Sequence, residues 1–192
     1  MKFRYVDYKT INGALYGIEG KTIWQFNEHY KPLTFYKNGV KGEFINGPVL
    51  AYRRVSKPQN YRTTICSVIR DGVIITRSIN ILELNDVDYL YFLCGIMNSF
   101  VIDYFVRKNV MFDIRLFNFG DIPIIPYNRQ VTELAIQISK DVNNQSLKNE
   151  LDILVAKMYG LNYEELKYIL STFNLVEQSI KDDILERHRL VI

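Results

Sequence analysis

The sequence predicts an α+β fold: a mostly antiparallel sheet packed around a long buried helix, followed by a C-terminal helical subdomain. Three observations predict it. Val49 to Leu84 consists of β-branched and aromatic runs separated by turn residues, which is the chemistry of strands and hairpins. Asp88 to Lys108, DYLYFLCGIMNSFVIDYFVRK, is apolar at helical spacing nearly all round, so it reads as one core helix. From Asn128 onward apolar residues recur in stripes of helical period. The expected division is an α+β domain over 1–126 with a helical subdomain over 127–192 packed on it.

Each element has its own signal. Leu15 to Tyr16 and Thr22 to Phe26 are extended pieces in an aromatic- and glycine-rich opening, and Asn38 to Gly47 is a turn-forming connection with three glycines. Strands are predicted at Val49 to Val55, Thr63 to Ile69, Val73 to Ile75 and Arg77 to Leu84, joined as a meander through SKPQN and RDG. Asp71-Gly72 is the strongest turn signal, because glycine accepts positive φ. In the long helix, Tyr89, Leu93, Ile96, Met97, Phe100, Val101 and Tyr104 form one face, and Leu90, Phe92, Ile102 and Val106 cover much of the other. Its apolar run is shorter than the ~20 residues a bilayer crossing needs. Phe112 to Phe119 is irregular, and the prolines of Ile122-Pro123-Ile124-Ile125-Pro126 exclude a helix, leaving an edge strand or extended tie. Val131, Leu134, Ala135, Ile138 and Val142 mark one further helix, and Leu147, Leu151, Leu154, Val155 and Met158 a second that Gly160 stops. Asn162 and Glu165 have capping-box spacing for a third, and Val176, Ile180 and Ile184 predict a fourth.

Composition narrows the function classes. With 192 residues and 48% hydrophobic content the chain builds a core of its own. Met1 to Tyr8 has no apolar signal region, so a cytoplasmic location is expected. Cys66 and Cys94 lack neighbouring ligands and are expected as buried free thiols. The net charge of +3 is unevenly spread, with sixteen Lys and Arg against eleven Asp and Glu up to Pro126, and eight against ten afterwards. Between Phe44 and Arg77 six cations face Asp71 alone. Such a local excess is what a polyanion-binding surface requires. A solvated strand face has the same composition.

Catalytic patterns are missing. Gly20-Lys21-Thr22 lacks the upstream glycine of a phosphate-binding loop, since position 15 is Leu15. His29 and His188 have no carboxylate or cysteine at motif spacing. Glu19-Gly20-Lys21 fits the carboxylate, spacer, lysine triplet of many nucleases, but Glu165 and Lys167 fit it equally inside a helix. There is no Asp/Asn-Pro-Pro-aromatic segment of the kind that holds a flipped base for amino methylation. The chain is expected to be non-catalytic by itself and to hold no cofactor.

The order of these pieces resembles a known family. LYGIEGKTIWQFNEHY, Leu15 to Tyr30, is similar to the LYEGK-x-I-x-QF segment downstream of the catalytic domain in large adenine-specific DNA methyltransferases. VLAYRRVSKPQNYRTTICSVI resembles the arginine-bearing strand, loop and RT strand that follow it. Leu93, Met97-Asn98-Ser99, Asp103-Tyr104 and Arg107 match the LL-x-x-LNS-x-x-x-DY-x-x-R helix. The Asp121-Ile122-Pro123-Ile124 return and LDILVAKMYGLNYEELKYILSTF then come in the family's order, up to an R-x-R-L tail at Arg187 to Leu190. The resemblance is to the TaqI-like C-terminal specificity (target recognition) domain of type IIG or phage-exclusion adenine-specific methyltransferases. Upstream catalytic motifs are missing, and Lys31 to Gly47 has no counterpart.

The resemblance implies double-stranded DNA as a partner, together with a methyltransferase domain or subunit that would carry the S-adenosylmethionine. In such a domain phosphate contacts supply affinity and base edges supply specificity. Lys57, Gln59 and Asn60 in the loop Ser56 to Tyr61 are the candidate base readers, and Arg53, Arg54, Arg62 and Arg77 the candidate phosphate contacts. Strand alternation sends Arg53 and Arg54 to opposite faces. Lys21, Trp24 and Gln25 form a second candidate patch, and Arg107, Lys108 and Arg115 a third where cations also suit the helix dipole. Asn98 and Ser99 are expected to make buried hydrogen bonds. The competing expectation is a protein-interaction module that docks a partner through its C-terminal helices.

Overall fold

The computed structural model describes residues 9–11, 15–29, 31–36, 40–54, 60–70, 72–109 and 121–190. The fold is α+β. Among these residues two sheets are formed. One has strands β1 (Lys9–Ile11), β2 (Leu15–Ile18), β3 (Thr34–Tyr36), β4 (Val40–Ile45) and β7 (Val73–Thr76) in the order β1-β4-β7-β2-β3. The other has β5 (Val49–Arg53), β6 (Cys66–Ile69) and β8 (Ile79–Glu83) in the order β6-β5-β8. Every pairing is antiparallel except β2 with β7.

The expected meander is corrected in its pairing. β5 lies between β6 and β8, while β7, which a meander would pair with its sequence neighbours, belongs to the other sheet. Gly72, at φ 85, turns the chain there, and its N–H donates to Ile45 O at 3.0 Å. The turn signal was read correctly, but it passes the chain between sheets instead of closing a hairpin. Asp71 lies outside the described residues. The continuous apolar runs follow from this layering, because β5 and β6 are buried on both faces. Val49, Ala51, Ile69 and Ile81 join Ile18, Ile45 and Ile75 in a core between the sheets. Leu50, Tyr52, Cys66, Val68 and Leu82 face the helices in a second, larger core.

The long helix is two helices. α1 (Val87–Asn98) and α2 (Phe100–Asn109) meet at Ser99, whose φ −72 and ψ 155 are extended, and the axis bends there by 66°. The Ser99 hydroxyl donates to Ile96 O at 2.7 Å and accepts from the Ile102 N–H at 3.3 Å. It closes one helix and caps the next, a local alternative to the helical ladder that serine offers readily. No single helix among the described residues is long and apolar enough to cross a membrane.

The remaining helices are α3 (Arg129–Lys140), α4 (Gln145–Met158), α5 (Tyr163–Ser171) and α6 (Gln178–Arg189). Asn128, Asn144 and Asn162 cap the first three, and the Asn162–Glu165 capping box is present. Gly160, at φ 70, stops α4. The expected boundary at 126 falls in the extended connection before α3. The apolar core runs across it, with Leu90, Leu93, Val131, Leu134 and Leu151 in one cluster.

Candidate nucleic-acid interface

The break at Ser99 releases the Asn98 carbonyl from the helical ladder, since its ordinary donor, the Ile102 N–H, donates to the Ser99 hydroxyl instead. That carbonyl accepts from Gln25 Nε2 at 3.0 Å and from the Arg62 guanidinium. The Asn98 amide bonds both backbone groups of Cys66, donating to its carbonyl at 2.9 Å and accepting from its N–H at 3.2 Å. Asn98 is therefore the buried hydrogen-bonding residue that its place among apolar neighbours predicted. The freed N–H of Phe100 donates to Asp152 Oδ1 at 2.7 Å, so a carboxylate from α4 caps α2. Negative charge is favoured at a helix N-terminus.

A charge network lies one turn further on. Asp103, with no exposed surface, pairs with Arg62 Nε at 2.9 Å and Arg107 Nε at 3.0 Å. It also accepts from the Thr63 N–H at 3.0 and 3.1 Å. The Arg62 guanidinium lies 4.0 Å from the centre of Phe100, and that of Arg107 4.0 Å from the centre of Phe173. Arg107 further donates to the carbonyls of Asn60 and Tyr61.

Three expected DNA contacts are corrected by this network. Arg62 is 3% exposed and Arg107 10%, and both neutralise a buried carboxylate. Gln25 is 7% exposed and spends its donor on Asn98. A charge so placed is unavailable to a phosphate, because withdrawing it would leave Asp103 buried without a counter-charge. The network instead fixes residues 60–63, the downstream foot of the candidate reading loop. Lys57 and Gln59 in that loop, and Arg115, lie outside the described residues. Asn60 is exposed, with its carbonyl held by Arg107.

The chain segments that carry the other expected cations meet through their backbones at Ser78. The Arg54 N–H donates to Ser78 O at 3.0 Å, and the Gly20 N–H to Ser78 Oγ at 2.8 Å. Arg77 precedes this residue and is exposed, and Lys21 follows Gly20 and is exposed. Arg53 donates to Ile23 O at 2.6 Å and lies 5.0 Å from the centre of the Trp24 ring. Three segments distant in sequence, 19–24, 53–54 and 77–78, thus converge beside the upstream foot of the same loop, with the Arg53 guanidinium on Trp24 and Arg54 on the opposite face of the strand. Glu19 is the acid at this place, bonded by Lys21 at 2.8 Å and by the Tyr36 hydroxyl. Burial raises its carboxyl, and Lys21 with Tyr36 outweighs that, so it titrates below its ordinary value. Lys108 is exposed elsewhere, 5.5 Å from the centre of Tyr104 on α2, and does not join the cluster.

Sequence reasoning missed Asp103 as the organiser of this region, although Asp103 and Arg107 have the i,i+4 spacing of a helical ion pair. It also missed Asp152, which periodicity assigned to no face. Among the described residues no group of three or more His, Cys, Asp or Glu side chains is placed to hold a metal ion. Cys66 and Cys94 are buried free thiols. No family model, curated protein or solved structure matches the chain.

Proposed function

We propose that this chain is the DNA sequence-recognition domain of a restriction-modification adenine methyltransferase, non-catalytic by itself and working on double-stranded DNA. The observation that carries the reading is the convergence at Ser78 of the segments that bear Lys21, Arg53, Arg54, Arg77 and Trp24, next to a loop whose two feet are pinned. In this reading the cations of these segments supply sequence-independent affinity, and Lys57, Gln59 and Asn60 are the proposed base readers. The methyltransferase domain or subunit, with its S-adenosylmethionine, is the partner this arrangement would orient.

The test is binding of a fluorescent duplex between about 50 and 200 mM salt. The logarithm of affinity should fall linearly with that of salt concentration, by about 0.9 per phosphate neutralised. Changing Arg53, Arg54 and Arg77 together to Ala should lower the slope by about 2 to 3. Arg62 is left out of the set because its loss acts on the fold. A slope unchanged in the triple variant, or no binding at the lowest salt, rejects the reading.

A second reading has one observation in its favour. Tyr168, Leu175 and Leu190, on or beside the last two helices, are 57%, 62% and 77% exposed. Large apolar side chains so exposed suit a protein-interaction module that docks a partner through its C-terminal helices. A partner whose binding ignores salt and is lost on changing Tyr168 and Leu175 to Ser would favour it.

A further inference from the structure

Trp24, whose ring carries Arg53, also forms a wall of a small cleft. Gln25, Tyr61, Arg62, Lys148 and Asp152 line it together with Trp24, and its volume is about 90 Å³. The rings of Trp24 and Tyr61 are 6.4 Å apart and tilted by 35°. The cleft brings α4 against the break between α1 and α2, where four polar side chains are buried: Gln25, Arg62, Asn98 and Asp152.

Two of these buried groups have hydrogen-bonding capacity left over. Asp152 uses Oδ1 on the Phe100 N–H, and its Oδ2 accepts no hydrogen bond among the described residues. Gln25 uses Nε2 on the Asn98 carbonyl, and its Oε1 accepts none from the described residues. Lys148, half-buried on the same wall, has an ammonium group with no ion-pair partner among the described residues. Buried polar groups are ordinarily hydrogen-bonded, so an acceptor left open toward a cleft points to what the cleft takes. The open set is two acceptors and one donor, between aromatic faces.

We infer that this cleft receives the hydrogen-bonding edge of a guanine base. Among the four bases guanine alone carries two donors, N1–H and N2–H, and one acceptor, O6, on that edge. The donors go to Asp152 Oδ2 and Gln25 Oε1, and O6 takes the Lys148 ammonium. The cavity is smaller than the ~150 Å³ that admits a whole benzene ring, so the base enters edge first and its face lies on Trp24 or Tyr61. Arg62 is held by Asp103 and shapes the floor without reaching the ligand. That the base is an unstacked guanine of bound nucleic acid rests on the DNA-recognition reading, whereas recognition of the edge itself does not.

Trp24 is the single tryptophan, so its indole N–H gives one signal in a proton–nitrogen correlation spectrum of the full chain. Titration with GMP should move that signal at a concentration at least ten times lower than AMP, CMP or UMP, and inorganic phosphate should leave it in place. Asp152→Asn, which keeps an oxygen for the Phe100 N–H but replaces the open acceptor by a donor, should abolish the preference. Lys148→Met, at a half-buried position, should weaken GMP alone and serves if the first variant misfolds. Equal response to all four nucleotides, no response to any, or a preference that survives both substitutions overturns the inference. Duplex binding without a GMP preference removes this site and keeps the DNA reading. A GMP preference without duplex binding does the reverse.

Discussion

Asp103→Ala is expected to lower the free energy of unfolding by about 3–5 kcal/mol, the range for removing one partner of a buried ion pair. The reason is what the carboxylate leaves behind. Arg62, 3% exposed, would keep its charge with no counter-ion, and the Thr63 N–H would lose both of its acceptor contacts. Arg62→Ala should cost less, since Asp103 retains Arg107 and the Thr63 N–H. Arg107→Ala should cost least, because its guanidinium lies nearest to solvent. Urea unfolding followed by circular dichroism gives all three values. A loss below about 1 kcal/mol for Asp103→Ala, or the reverse order, would mean that the pair contributes no more than an exposed one.

The same network explains why the cationic surface was only half legible in the sequence. Arginine is written alike whether it meets solvent or a buried carboxylate, and in the first 126 residues the two uses alternate. Arg77 is exposed, Arg53 and Arg54 are half-buried, and Arg62 goes inside. The residue that decides between them is Asp103, separated from Arg62 by the whole of β6, β7, β8 and α1. No local pattern connects positions so distant. The helix break was hidden for a related reason: apolar periodicity continues on both sides of Ser99, so the stripe looks unbroken while the axis turns by 66°. An Asn-Ser pair in the middle of an apolar helix was the available signal, because both side chains compete for backbone groups.

Where structure is decided within a few residues, the sequence was sufficient. The Asn162–Glu165 capping box, the glycine that ends α4 and the apolar stripes of α3 to α6 are set by i,i+3 and i,i+4 neighbours, and all are present. Strands β5 to β8 were recognisable as strands for similar reasons, whereas β4 lies in the stretch Asn38 to Gly47 read as a turn-forming connection, and Thr22 to Phe26, read as extended, forms turns. The partners of β5 to β8 were not recognisable, since β5 and β6 are apolar on both faces and such a run carries no sign of which neighbour it will pair with. The candidate interface combines both cases: its residue types are visible in the chain, and the convergence of their segments at Ser78 depends on two sheets that only tertiary pairing assembles.

Between pH 4 and 7 the stability difference between the wild-type protein and Asp152→Asn should change by about 3 kcal/mol, in favour of the variant as pH rises. Burial raises the Asp152 carboxyl to about 6, and the nearby Arg62 charge and the Phe100 N–H hold it below what burial alone would give. In the unfolded chain it titrates near 3.9. A raised value means that the native state holds this proton more tightly than the unfolded state does. The stabilising contribution is thus complete below about pH 4 and lost as pH rises through 6, and two pH units at 1.36 kcal/mol each give the magnitude. The amide of the variant cannot titrate, and its oxygen still accepts from Phe100. His188, buried and lowered by burial, runs the other way, weakening the fold as pH falls through its ordinary value near 6.5. Because both proteins contain it, its effect cancels in the difference. Parallel urea titrations of the two proteins at four pH values measure the quantity directly. A difference that stays flat across the range would mean that the Asp152 carboxyl titrates normally, and that the cleft it lines is wetter than its burial implies.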